Sequence, residues 1–154
     1  MRQLDDRLEF SWWLLRIGFG LVPILAGLDK FLNLLADWPT YLSPTVQNVL
    51  PVGAASFMHM VGVIEIIAGS IVLSRWTLVG SYIVSAWLIA IALNLITTGR
   101  FFDIAVRDLV MAAAAYSLAQ LTAVREGVAE TQNARNGMQT RTVTTVQLRG
   151  CAQQ

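Results

Sequence analysis

The sequence predicts an all-α membrane protein, a transmembrane four-helix bundle with a short outer interfacial helix and a polar C-terminal tail. Hydrophobic residues make up 55% of the 154-residue chain. Charged residues make up 14%, against about 25% in a typical soluble domain. Four segments also reach the roughly 20 apolar residues that a helix needs to cross a bilayer. We predict helices because lipid offers the backbone no hydrogen-bond partners, and because these segments lack the alternation of barrel strands.

The composition also limits the chemistry that the chain can hold. Its formal net charge is +1, so no basic excess points to a nucleic-acid partner. The single cysteine, Cys151, excludes a disulfide framework and a cysteine-rich metal or iron–sulfur site. That cysteine and the single histidine, His59, are too few ligands for a haem pair or a zinc site. We therefore predict no cofactor held by such ligands, which leaves a quinone or a lipid as the open ligand classes.

Four apolar segments define the transmembrane domain, which we place at residues 1–124. The first span runs from Phe10 to Leu28 and extends toward Leu35. Pro23 lies inside it and removes one helical hydrogen bond, so we expect a kink there. The later spans run over Ala54–Leu73, Trp76–Ile96 and Ile104–Val124. The third span contains no charged residue and is the clearest of the four.

Two segments outside the spans have predicted structure of their own. Ser43 and Pro44 are typical of the first positions of a helix, which predicts a short interfacial helix through Leu50. Residues 125–154 are polar and form a tail that is either disordered or docked on a partner subunit. Within the tail, Thr140–Leu148 is rich in β-branched residues, which favours a strand that adds to a partner's sheet edge.

Arginine and lysine concentrate on one side of the spans, and this bias sets the predicted orientation. The richer side holds the arginines of both chain ends and of the second connector: Arg2, Arg7, Arg75, Arg125, Arg135, Arg141 and Arg149. The other side has Arg100 in a connector, with Lys30 and Arg107 just inside helix ends. Because positively charged loops stay in the cytoplasm, we predict a multi-pass protein of the inner cell membrane with both termini cytoplasmic.

Polar side chains within the predicted spans are the candidate functional residues, because ionisable groups are costly in lipid. They are Arg16, Asp29, Lys30, His59, Glu65, Asn94, Arg107 and Asp108. One interpretation is structural, with ion pairs that fix the register of the helices. The other is a polar pocket that opens outward, with His59 and Glu65 at its base, and takes a quinone headgroup or a small polar solute.

Helical phase and depth predict which of these charges meet. Glu65 lies between Gly62 and Gly69 on one face, where glycine allows close helix packing. Asp108 shares a face of the fourth span with small residues, which are Ala112, Ala115 and Ala119. Similar depths in the bilayer make an Arg16–Glu65 ion pair feasible. Near the outer face they predict the cross-pairs Lys30–Asp108 and Asp29–Arg107.

Three motifs resemble the DoxX family of small four-span integral membrane proteins. The first span contains L-R-I-G-F-G-L-V-P-I-L-A-G-L-D-K-F, the second contains G-V-I-E-I-I-A-G, and the fourth begins with D-I-A-V-R-D-L-V-M. The resemblance covers about Leu14 to Leu121 and leaves out the tail. It implies a four-helix membrane bundle that serves a redox system. It also implies a set of polar positions shared with the family, to which it assigns no catalytic role. These are Arg16, Asp29, Lys30, Glu65, Arg107 and Asp108.

Three functions follow as alternatives. The first is a non-catalytic accessory or anchor subunit of a larger, redox-linked membrane complex, which the small size, the tail and the lack of a redox-active ligand set favour. The second is a quinone-binding subunit of an oxidoreductase of the thiosulfate:quinone type, which uses the outer polar pocket. The resemblance supports it, because the family includes small membrane subunits of such an enzyme. The third is a small-solute transporter, which the lack of an evident inverted repeat disfavours. Other protein subunits are expected partners, reached through Thr140–Leu148 of the tail.

Overall fold

The computed structural model describes residues 2–44 and 53–151, with side chains described for residues 6–44 and 53–138. Within these residues, the long elements are α1 (Arg2–Leu32), α2 (Ala54–Leu73), α3 (Thr77–Thr98) and α4 (Phe102–Cys151). A 3-10 helix, Trp38–Tyr41, follows α1. All four long helices are long and apolar enough to cross a membrane. The predicted fold class is confirmed, and the chain is a multi-pass membrane protein.

The helix ends follow from local sequence. α3 ends at Gly99, whose positive φ of 70° is a conformation that glycine adopts without steric cost. α1 ends at Asn33 with φ of 49°, and asparagine tolerates this conformation better than most residues. α1 continues through Pro23 without interruption. The predicted interfacial helix from Pro44 to Leu50 lies outside the described residues, apart from Pro44 itself.

Glycine faces bring α1 and α2 into close contact. A Cβ atom added to Gly27 would lie 2.5 Å from the carbonyl oxygen of Gly62, and one added to Gly62 would lie 2.7 Å from the carbonyl oxygen of Gly27. A Cβ atom on Gly69 would overlap the carbonyl oxygen of Gly20. Since no other residue type fits at these crossings, the predicted packing role of the glycines on α2 is confirmed.

The two ends of the bundle are named here by the residues they carry. The Arg75 end holds the α2–α3 turn, and the Trp38 end holds the 3-10 helix. An apolar core toward the Arg75 end takes side chains from all four helices: Trp12, Phe19, Ala68, Val72, Val84, Ala115 and Leu118. A smaller core joins α3 to α4 at the Trp38 end through Ala92, Leu95 and Ala105. The predicted alanine face of α4 is confirmed, because its alanines are buried.

The chain divides into a compact unit through Leu121 and a second unit from Thr122 onward. The second unit continues the backbone helix of α4 to Cys151, so the strand predicted at Thr140–Leu148 is wrong. β propensity depends on a neighbouring strand to pair with, whereas helical hydrogen bonds close within the segment itself. Docking of this segment on a partner stays a prediction.

Candidate functional site

A cavity of about 540 Å³ lies within the bundle toward the Trp38 end. Its walls come from all four helices and from the segment that follows α1, and they are mainly apolar, as at Ala26, Val61 and Leu88. The polar or aromatic-polar residues on its wall are Lys30, Trp38, Tyr41, Glu65, Trp87, Asn94, Arg107 and Asp108. A cavity of this size and composition is typical of a site for a small organic molecule.

Lys30 and Glu65 form a buried ion pair on the cavity wall. The Lys30 Nζ atom lies 2.6 Å from Glu65 Oε2, and the two side chains are only 4% and 7% exposed. Close approach of α1 and α2 at Gly27 and Gly62 brings the pair within reach. Trp87 donates from Nε1 to Glu65 Oε1 at 3.5 Å. Each charge is therefore neutralised and hydrogen-bonded, which is the condition for keeping a charge out of water.

Lys30 also contacts an aromatic ring of the segment that follows α1. Its Nζ atom lies 3.7 Å from the centroid of the Trp38 ring. A cation over the face of an indole is attracted by the negative potential of that face. The Lys30 ammonium is thus committed to Glu65 on one side and to Trp38 on the other.

The Asp29 carboxylate accepts hydrogen bonds from the segment that follows α1. Its Oδ1 atom accepts hydrogen bonds at 3.1 Å from the backbone N–H groups of both Leu34 and Leu35. Its Oδ2 atom accepts one from Trp38 Nε1 at 2.7 Å. Asp29 is buried but is not among the residues that line the cavity. Its carboxylate therefore serves to hold the turn after α1 and to place the Trp38 ring.

Asn94 on α3 holds the same segment from the opposite side. Its Nδ2 atom donates to the carbonyl oxygen of Tyr41 at 2.9 Å. Its Oδ1 atom accepts from the backbone N–H of Ser43 at 3.2 Å. We refer to residues 33–43 as the cap segment. Because Asp29 and Asn94 both anchor it, and because Trp38 and Tyr41 line the cavity, the cap segment is a fixed part of the cavity wall.

Arg107 and Asp108 complete the polar wall from the start of α4. Arg107 is exposed, Asp108 is half-buried, and both line the cavity. Within the described part of the chain, the Asp108 carboxylate has no hydrogen bond and no ion pair, and Lys30 and Glu65 form the ion pair of the cavity wall. The predicted cross-pairs Lys30–Asp108 and Asp29–Arg107 are therefore wrong, because Lys30 is taken by Glu65 and Asp29 by the cap segment.

Arg16 lies away from the cavity, and the predicted Arg16–Glu65 pair is wrong. Its Nη2 atom donates to the carbonyl oxygens of Leu73 and Ser74, both at 2.7 Å. Its Nε atom donates at 3.2 Å to a third carbonyl at the end of α2, that of Val72. The last carbonyls of a helix lack partners within the helix and attract cations. The guanidinium also lies 5.0 and 5.1 Å from the centroids of two indole rings, those of Trp12 and Trp13.

His59 is also outside the cavity, contrary to the prediction that placed it at the base of the pocket. It is exposed on the surface of α2. Its ring stacks on Phe31 of α1, with centroids 5.0 Å apart and an interplanar angle of 11°. The reason is helical phase, since residues 59 and 65 are not separated by a multiple of a helical turn.

Aromatic residues of the site were not predicted as such. Trp38 and Tyr41 are not among the candidate residues that the sequence indicates, yet both line the cavity. Trp87, Ile91 and Asn94 also line it, and their i, i+4, i+7 spacing on α3 is the sequence signal that could have identified this face. A tryptophan in phase with an intramembrane asparagine points into the bundle rather than toward lipid.

The fold and the cavity together define a four-span membrane protein with an internal, mainly apolar site and a charged wall. Comparisons with protein-family models, curated proteins and solved structures found no match to this chain. The resemblance to the DoxX family stays a prediction from the motifs, and the functional assignment has to come from the site.

Proposed function

We propose that this protein binds an amphipathic small molecule from the bilayer, with a quinone as the foremost class, and that it serves as a membrane subunit of a redox-linked complex. The observation that carries the proposal is the cavity of about 540 Å³ with apolar walls and a buried ion pair on one side. A purely structural ion pair needs no empty volume beside it, because interiors are otherwise close-packed.

The distribution of polarity in the cavity suits an amphipathic ligand. The lining residues toward the middle of the bundle are apolar, and they include Ala68, Val84 and Leu88. The polar residues concentrate toward the Trp38 end, where Asn94 and Asp108 lie. A ligand with a polar headgroup and an apolar chain would place the headgroup at the Trp38 end, because each part then meets a matching environment.

A quinone is favoured over other amphipathic ligands on two grounds. Flat rings pack well against aromatic side chains, and Trp38, Tyr41 and Trp87 line the cavity. The motifs in α1, α2 and α4 resemble those of the DoxX family, some of whose members are subunits of a quinone-reducing enzyme. In this proposal a redox partner in the same complex exchanges electrons with the bound quinone.

A cavity-filling variant tests this proposal. Val61 lines the cavity and is 8% exposed, whereas Val63 on the same helix is 47% exposed and does not line it. We expect Val61→Phe to abolish saturable quenching of tryptophan fluorescence by a decyl-chain benzoquinone in lipid nanodiscs, because the added ring occupies the site. Val63→Phe adds the same ring on the outer face of the helix and should quench like the wild type. Equal saturable quenching in both variants would place quinone binding outside the cavity.

An accessory role for the second unit is the other candidate. The described side chains from Arg125 to Met138 are all exposed, and the apolar ones among them include Val128, which is 55% exposed. Apolar groups on an exposed helix are typical of surfaces that bind another protein. This observation supports the anchor function, in which the helical extension contacts a second subunit.

Gentle detergent purification distinguishes this role from ligand binding alone. We expect a chain that ends at Val124, and the variant Val128→Glu in the full chain, to lose the subunits that co-purify with the wild type. Gln132→Glu adds a charge to the same exposed helix and should retain them. Retention of the same subunits by the truncated chain would remove the second unit from any docking role.

A further inference from the structure

The polar atoms on the cavity wall divide into those that already have partners and those that do not. Lys30 and Trp87 both donate to the Glu65 carboxylate, and Asn94 uses its amide on the cap segment. Within the described residues, the side-chain polar groups of the wall without a hydrogen bond or ion pair are the Tyr41 hydroxyl, the Arg107 guanidinium and the Asp108 carboxylate. These three groups are the ones free to bind a headgroup.

The cavity wall carries equal numbers of acidic and basic side chains. The ionisable residues on the wall are two cations, Lys30 and Arg107, and two carboxylates, Glu65 and Asp108. They sum to zero when all four are ionised. Lys30 and Glu65 pair with each other, which leaves Arg107 and Asp108 as the unpaired charges among the described residues of the wall, and we take Asp108 as ionised. An ionised carboxylate can only accept hydrogen bonds.

We infer that Asp108 selects ligands whose headgroup carries a hydroxyl donor, so that the cavity holds the reduced, hydroquinone form of a quinone in preference to the oxidised form. This inference rests on the proposed function. A headgroup hydroxyl can donate to Asp108, and the oxygens of the headgroup can accept from Tyr41 or Arg107, because all three residues line the cavity. A carbonyl or ether oxygen facing Asp108 would leave two acceptors opposed, with no proton between them.

The test compares ligands that share a ring and a decyl chain and differ in whether the headgroup carries a hydroxyl donor. The full chain in lipid nanodiscs, without oxygen, is titrated with decylhydroquinone, with its dimethyl ether and with decylbenzoquinone. We expect decylhydroquinone to bind about tenfold to a hundredfold more tightly than the dimethyl ether, as for a hydrogen bond to a charged acceptor. Asp108→Asn should abolish most of this preference, because an amide offers donors as well as an acceptor, whereas Asp108→Glu should retain it.

A matched control is available five residues earlier on α4. Asp103 is acidic and exposed, and it does not line the cavity, so Asp103→Asn should keep the wild-type preference. Failure of all three probes to bind saturably would overturn both the proposed function and this inference. Equal binding of all three by the wild type would leave the amphipathic site in place and overturn the donor preference. A preference that survives Asp108→Asn would show that another group accepts the hydroxyl.

Discussion

Arg16 and Lys30 are cations on the same helix, and the bundle neutralises them in different ways. Arg16 donates to backbone carbonyls at the end of α2 and also contacts the indole rings of Trp12 and Trp13. Lys30 is paired with a second ionised side chain, Glu65, on a cavity wall. The first arrangement needs only backbone that is present in any helix end. The second arrangement requires another buried charge, and helix packing by itself does not need such a pair.

A buried ion pair such as Lys30–Glu65 adds little to stability. Burying two ions costs desolvation free energy that their attraction offsets only in part, and apolar replacements of a buried pair are often at least as stable. An ion pair inside a membrane bundle is therefore weak evidence of a role in stability. Because Lys30 and Glu65 line the cavity and Arg16 does not, the Trp38 end holds the proposed binding site, whereas Arg16 joins α1 to the end of α2.

The largest predicted effect comes from breaking the Lys30–Glu65 pair on one side only. We expect Lys30→Met to lower the free energy of unfolding by about 3–5 kcal/mol, because it leaves Glu65 buried without its counter-charge. The double variant Lys30→Met, Glu65→Leu should recover most of that loss. The measurement is reversible unfolding in detergent micelles, with Arg100→Met, an exposed cation in a connector, as the control of unchanged stability. A double variant no more stable than Lys30→Met would show that the pair is needed for stability itself.

Arg16 is expected to show a smaller effect with no coupling to Glu65. Arg16→Met removes hydrogen bonds to carbonyls of α2 and should cost about 1.5–3 kcal/mol. Combined with Glu65→Gln, the two losses should add to within about 0.5 kcal/mol, since the side chains share no partner. A double-mutant cycle in the same detergent measures the coupling. A coupling well above that range would restore the Arg16–Glu65 interaction that the distances here rule out.

The four spans could be predicted because length and apolarity alone decide whether a segment crosses lipid. α2 matches its predicted bounds, and the glycine face around Glu65 is where the spacing placed it. The predicted ion pairs were wrong because the depth of a charge along its helix does not show which other polar groups lie within hydrogen-bond distance. Asp29 illustrates the point, since its partners are backbone groups of a turn that no helical pattern describes.

The cavity itself could not be predicted from the sequence. Its volume depends on how far the helices separate toward the Trp38 end, which is set by the sum of many side-chain contacts. Small residues on its wall, such as Ala26 and Ala90, look in the sequence like the close-packing alanines of α4. The same residue type thus marks an empty region in one half of the bundle and a dense one in the other.

The smallest predicted effect concerns the cap segment, which forms part of the cavity wall at the Trp38 end. Asn94→Leu removes the hydrogen bonds to Tyr41 and Ser43 and should destabilise the closed cap locally by about 1 kcal/mol. Amide hydrogen exchange at Tyr41–Ser43 should then accelerate about fivefold to tenfold, because local opening controls that rate. Thr97→Val on the same helix removes a bond to its own helix only and should leave the exchange unchanged. Unchanged exchange in Asn94→Leu would mean that Asp29 holds the cap segment alone, and the cavity would then be closed from α1 rather than from both sides.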